Sequence, residues 1–219
     1  MRLDFQQTVA SPTAAYEEGL EFFRGRGMAN KTLLRLTADL ERSGIDYSVI
    51  GAVALNQHGY KRFTADVDLL LSPEGLARFQ QELVGRGYRP AFPGATKMFR
   101  STAENVPIEF ITSGEFPGDG RPKPVRFPDP KEHYVIIEGV KTITLEKLIE
   151  LKLASGITAS DRLKDLADVQ ELIRVKDLDQ AFAEKLDASV RDKFLELHQG
   201  IAQARKRDQE MAPPGNQPG

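Results

Sequence analysis

The sequence predicts an α+β chain in which a small mixed sheet is flanked by helices and followed by a helical C-terminal region. Three observations lead there. Strand-like runs are confined to residues 46–111 and alternate with amphipathic segments of helical period. The segment 115–130, with five prolines and two glycines in 16 residues, can be neither helix nor central strand. Beyond it the apolar spacing is helical throughout.

Taken in order, residues 14–25 and 30–43 read as amphipathic helices, with Leu33, Leu34, Leu36 and Leu40 as the apolar stripe of the second and Gly44 at its C-terminal cap. Residues 46–51 form a short β-branched strand ending at Gly51, and a brief helix over 52–57 is stopped by Gly59. A second strand spans 64–71, with Val67, Leu69 and Leu71 on one face and Thr64, Asp66 and Asp68 on the other. A helix over 73–85 leads to strands near 88–92 and 97–101, and the run 106–111 completes the sheet. The loop 115–130 is locally basic through Arg121, Lys123 and Arg126. Thr144 reads as an N-cap with Ile143 and Leu148 as a hydrophobic staple, Ser160 caps a helix to about residue 174, and 180–204 adds one or two more. The expected organisation is an N-terminal helical extension (1–30), a core (31–140), a helical region (141–204) and a disordered tail (205–219), whose last eight residues are too poor in apolar side chains to fold.

Composition narrows the function classes. At 219 residues the chain makes one to two compact units. Thirty Lys+Arg against 32 Asp+Glu leave a net charge of -2, so no global basic field holds it on nucleic acid or an anionic membrane. No apolar run approaches the roughly 20 residues that cross a bilayer. Acids at Asp4, Glu17, Glu18 and Glu21 argue against a secretory signal, so a cytoplasmic location is expected. Without cysteine there is no disulfide, thiolate metal site or cysteine nucleophile. His58, His133 and His198 lie too far apart for a local metal box, which leaves carboxylates and hence Mg²⁺ or Mn²⁺.

The chemistry centres on Asp66 and Asp68. Two apart on a strand, they project from one face and both ionise readily only with a cation between them. A solvated strand face is the bland alternative, but Leu70 on the same face points to partial cover. Glu109, between Ile108 and Phe110, can complete a three-carboxylate set, or serve as an edge-strand partner for an arginine. The strand ending at Gly51 turns into a helix at Ala52, and the free amides of such a turn suit phosphate as well as simple packing. Lys152 falls within the apolar stripe of its helix, where it either snorkels or reaches a phosphate or an acid. Asp165 sits at the edge of the next helix's buried side and Asp168 further out, as a surface or helix-positioning charge. His58 suits a structural C-terminal cap.

Gly51-Ala52, thirteen residues, then Asp66-Val67-Asp68, with Arg62 and Thr64 just ahead and a later strand acid at Glu109, resembles the signature of the DNA polymerase β-like nucleotidyltransferase superfamily. The string over 46–71 looks like the branch of bacterial AbiEii-type proteins and lincosamide-type antibiotic nucleotidyltransferases. Lys152 and Lys164-Asp165-Leu-Ala-Asp168 are similar to the helical-region Lys and Arg-Asp-x-x-Asp of the AbiEii-like members. The chain departs twice: Ala52 replaces the usual Gly or Ser, and the third acid is Glu rather than Asp.

The resemblance implies a nucleotidyltransferase fold and transfer of an NMP from an NTP such as ATP to a hydroxyl acceptor. It implies Asp66, Asp68 and Glu109 as ligands of two Mg²⁺ or Mn²⁺ ions, and Gly51, Ala52, Arg62 and Thr64 around the nucleotide. Asp66, Asp68, Glu109, Lys152 and Asp165 form the catalytic set, with Glu109 or Asp66 helping to deprotonate the acceptor. Candidate acceptors are a tRNA or other RNA, a protein side chain and a small molecule; a toxin role would bring an antitoxin partner. The two departures also support a non-catalytic nucleotide- or partner-binding module of the same fold, and Asp-x-Asp alone occurs in sugar-nucleotide glycosyltransferases.

Overall fold

The computed structural model describes residues 5–211. Its element order is α1 (Phe5–Ala10), α2 (Pro12–Phe23), α3 (Met28–Arg42), β1 (Tyr47–Val49), α4 (Gly51–Gln57), β2 (Val67–Leu71), α5 (Pro73–Glu82), β3 (Tyr88–Pro90), β4 (Met98–Ser101), β5 (Pro107–Thr112), β6 (Tyr134–Ile137), β7 (Val140–Ile143), α6 (Leu145–Thr158), α7 (Leu163–Lys176) and α8 (Ala188–Met211). Short 3-10 segments cover Ser160–Arg162 and Gln180–Lys185. The seven strands lie in the order β3-β4-β5-β2-β1-β7-β6. β2 pairs parallel with β5 and β1 parallel with β7, while the other neighbours are antiparallel, so the sheet is mixed as predicted.

β2 is the central strand, and its Leu-rich run is buried on both faces. Val67, Leu69 and Leu71, with Ile108 and Phe110 of β5, pack against Leu33, Leu36 and Leu40 of α3 and Phe79 of α5. Leu70 and Ile111 point the other way, into a second core with Leu148 and Ile149 of α6 and Val169 and Ile173 of α7. The helical region therefore covers the sheet face opposite α3 and α5. Asp68 and Glu109 belong to that face too, two residues before Leu70 and Ile111.

Local signals set several boundaries. Ser72 Oγ accepts the Gly75 amide (3.0 Å) and Pro73 opens α5; Thr144 Oγ1 accepts the Lys147 amide (3.4 Å) at the start of α6. Ile143 and Leu148, the expected staple, are both buried in the second core. The structure departs from expectation elsewhere. Leu34 points to solvent, the α3 stripe being completed by Thr37 instead. Ser160 caps nothing: a 3-10 turn precedes α7, whose N-cap is Arg162. β6 and β7 extend the sheet beyond the run 106–111; this hairpin straddles residue 140, and β7 lies against β1. Residues 205–211, expected in a disordered tail, continue α8, and the remaining eight residues of that tail lie outside the described residues.

Candidate active site

Asp68 is held in β2 and Glu109 lies directly beside it in the parallel register with β5, so the two carboxylates share one sheet face. β5 is an interior strand, which removes the edge-strand alternative for Glu109. Asp66 is not on the strand: it occupies the bend just before it, where its Oδ1 accepts the hydroxyl of Thr64. That local hydrogen bond competes with extended pairing and delays the strand to Val67.

Gly51 meets this row from the other side. Its φ of +64° lies in the left-handed region, and a Cβ there would fall 1.9 Å from Asp68 Oδ2. Only glycine permits both the backbone turn and the close approach of the Asp68 carboxylate. The Ile50 amide donates to the Asp68 carbonyl (3.1 Å), fixing the start of α4 to β2.

The loop between α4 and β2 is pinned twice. Asn56 brackets the Arg62 backbone, its Oδ1 accepting the Arg62 amide (2.9 Å) while its Nδ2 donates to the Arg62 carbonyl. The Arg62 Nη1 donates to both oxygens of Asp168 (2.7 and 2.6 Å). Asp168 is 2% exposed, not a surface charge. It also accepts from Lys152 Nζ (2.8 Å), which bonds to Asp165 (2.9 Å), and Asp165 takes the Ser155 hydroxyl (2.7 Å). Lys152 thus reaches acids rather than snorkelling, and two cations meet two carboxylates in a buried, neutral cluster. Burial alone would raise the Asp165 carboxyl, but Lys152 and Ser155 hold it below the ordinary carboxylate range. Arg62 is anchored to this cluster through Nη1 while it lines the cleft. His58 is structural, as expected: its Nε2–H donates to the Ile143 carbonyl (2.7 Å), tying α4 to the end of β7, and burial lowers its pKa.

All nine residues singled out from sequence, Gly51, Ala52, Arg62, Thr64, Asp66, Asp68, Glu109, Lys152 and Asp165, line one cleft of about 660 Å³ between the sheet and the helical region. Asp68 is half-buried there. Burial, then the neighbouring Asp66 and Glu109 carboxylates, push its pKa up to about 7, with Lys152 and Lys164 acting in the opposite sense. Among the described residues, Asp66, Asp68 and Glu109 form no ion pair, whereas the cleft's other acids are paired with lysines, Glu115 with Lys97 and Asp165 with Lys152. Three unneutralised carboxylate groups are hard oxygen donors of the kind Mg²⁺ and Mn²⁺ take, and in that chemical sense the residues fit such an ion. Among the described residues no three His, Asp or Glu side chains are gathered into a finished metal cage.

Arg162 escapes a reading of the sequence, and Lys164 enters it only within the Lys164-Asp165-Leu-Ala-Asp168 resemblance, with no site role of its own. Arg162 and Lys164 are exposed on the lining and have no ion-pair partner among the described residues. Both sit at the start of α7, where positive charge opposes the helix dipole by roughly 0.3–1 kcal/mol each. That misplaced charge is the signal that could have flagged them. The loop 115–130 is less basic in space than in sequence, because Lys123 is engaged by the Pro117 carbonyl (2.6 Å), Asp119 and Thr158 Oγ1 (2.9 Å).

No family model matches the chain, and no curated protein matches it in sequence. Among solved structures it is similar to the antibiotic-resistance factor ANT(2'')-Ia, in complex with adenylyl-2''-tobramycin, at 14% identity and a TM-score of 0.47 over 77% of this chain and 98% of that one. It is also similar to an antigenic nucleotidyltransferase-like protein from Paracoccidioides brasiliensis, at 15% identity and a TM-score of 0.45 over 81% of this chain and 88% of that one.

Proposed function

We propose that the protein is a metal-dependent nucleotidyltransferase that moves an NMP from an NTP to a hydroxyl acceptor. One observation carries the reading: the carboxylates of Asp68 and Glu109 on one sheet face and of Asp66 in the bend before β2, and the cations Arg162 and Lys164, line a single cleft without ion-pair partners among the described residues. Such a division of charge suits a polyphosphate substrate with divalent cations. Asp66, Asp68 and Glu109 would hold Mg²⁺ or Mn²⁺, which when bound supplies charge compensation to the phosphates. Arg162 and Lys164 bind the β- and γ-phosphates from the helical side, and the Gly51-Ala52 turn receives them from the sheet side. Lys152, oriented by Asp165 and Asp168, favours the ionised form of Asp68.

In the transfer, the acceptor oxygen forms a bond to the α-phosphorus as the bond from that phosphorus to the bridging oxygen breaks, and pyrophosphate departs. The acceptor's proton passes to a Glu109 Oε atom, which is exposed on the open side of the row and has no ion-pair partner among the described residues. The residues otherwise orient the reactants and supply a fixed field.

Incubation with NTPs labelled at the α-phosphate, Mn²⁺ or Mg²⁺ and cell extract, followed by separation of protein, RNA and small molecules, tests the proposal. Label is expected to appear in one acceptor class with release of pyrophosphate, and Asp66→Asn and Asp68→Asn each abolish it. Transfer retained in both variants, or absent from the wild type across all fractions, refutes the reading.

A further inference from the structure

The cleft has two unlike ends. Met98 of β4 pairs with Glu109, and Glu109 with Asp68, so cross-strand pairing sets these three on one face in a row. At the Met98 end the row runs out of the cleft and is open: Met98, which does not line the cleft, is 45% exposed and Glu109 is exposed beside it. One step along the strands, Ile111 begins an apolar compartment walled by Leu148 and Leu151 of α6 and by Phe116 and Phe127 from the irregular loop.

That loop is fixed as a strap. Its ends are tied to each other, the Gly114 amide donating to the Phe127 carbonyl (2.8 Å) and the Phe127 amide to the Glu115 carbonyl (2.9 Å). Its middle is tied to α6 through Lys123 and Thr158 Oγ1 (2.9 Å). Gly118 lies so close to α6 that a Cβ there would sit 2.5 Å from Thr158 Oγ1 and 2.8 Å from the Ser155 carbonyl, at a φ of +74°. Two half-buried aromatic rings are thereby held against the cleft on backbone that is anchored at three points.

We infer that Phe116 and Phe127 form the platform on which the base of the donor NTP stacks, while the acceptor enters over Glu109 and Met98, and that the enzyme consequently discriminates weakly among the four bases. The inference rests on the nucleotidyltransferase reading and adds the identity of the donor. An anchored, apolar wall carrying two aromatic side chains suits a planar ring, whereas the exposed Glu109 leaves the other side accessible to an acceptor. The named walls of the compartment are apolar, and the adjoining polar side chains are already engaged, Glu115 with Lys97 and the Ser155 hydroxyl with Asp165 (2.7 Å). A π-face is common to every base, so stacking is tolerant of base identity. Apolar pockets separate related ligands by roughly 10–200-fold, while sites built to read hydrogen bonds reach about 10⁴-fold or more.

The test uses the full chain with Mn²⁺ and measures binding of ATP, GTP, CTP, UTP and inorganic tripolyphosphate, alongside kcat/KM for the four NTPs once an acceptor is in hand. Affinities for the four nucleotides are expected to fall within about 100-fold of one another. Phe127→Leu and Phe116→Leu, which keep the apolar filling, weaken every NTP by about tenfold and leave tripolyphosphate unchanged. A preference for one base above about 100-fold, unchanged NTP affinity in both variants, or equal weakening of NTP and tripolyphosphate overturns the inference while the nucleotidyltransferase reading stands. Failure of the wild type to bind any of the five probes overturns both.

Discussion

Asp68 makes a sharp prediction about stability, because its carboxyl is harder to ionise in the folded chain than in the unfolded one. Its ordinary pKa of 3.8 rises to about 7 through burial and the Asp66 and Glu109 charges. Below pH 3.8 the group is protonated in both states and contributes no difference. Between pH 3.8 and about 7 the unfolded chain is ionised while the folded chain holds its proton, so unfolding releases a proton and stability falls as pH rises. Above pH 7 the loss is complete. At about 1.4 kcal/mol per pH unit the interval corresponds to at most about 4 kcal/mol. Residual solvent contact at this half-buried group reduces it to roughly 2–4 kcal/mol. Asp68→Asn removes the ionisation and should therefore be more stable than the wild type by that amount at pH 8 in EDTA, with the advantage vanishing near pH 4. Urea denaturation followed by circular dichroism from pH 4.5 to 8.5 reads it directly, as a shift in midpoint without a change in slope. Addition of Mn²⁺ at pH 8 should stabilise the wild type and not the variant. An Asp68→Asn chain that is no more stable at pH 8, or whose stability tracks the wild type across the whole range, would falsify the electrostatic account of the site.

Gly51→Ala should cost at least about 1–3 kcal/mol of stability, from the positive φ and the collision with Asp68, and should abolish Mn²⁺-dependent nucleotide binding; a calorimetric titration showing normal binding refutes the close approach. Asp168→Ala leaves Arg62 and Lys152 short of a buried partner and should destabilise by about 3–5 kcal/mol, read by urea melts, with a loss under about 1 kcal/mol contradicting the buried cluster. Arg162→Gln and Lys164→Gln should each raise the KM for NTP several-fold with stability unchanged or slightly improved, since a cation leaves a helix N-terminus; a lower melting temperature with unaltered KM would make them structural.

The parts of the site legible in sequence are those encoded over short distances. Gly51 before a helix, Thr144 as a cap, and the alternation of Asp68 with the flanking Val67 and Leu69 are all local geometry, set by backbone sterics and by which side of a strand a residue occupies. What they cannot convey is which elements meet. The alignment of Glu109 with Asp68 depends on parallel pairing between strands separated by a helix and a hairpin, and the anchoring of Arg62 depends on Asp168 from α7. Asp168 has the spacing of an outward residue and is buried because two cations arrive from other elements to neutralise it. β6 and β7 are not legible in the sequence because they are four residues each and carry a pattern that gains meaning only beside β1. The sequence by itself determined the α+β class, the acids and the turn that line the cleft, since periodicity and steric preference act within a few residues. Only the tertiary structure decided which charges stay unpaired, because neutralisation depends on distances across the cleft, to which chain separation is no guide.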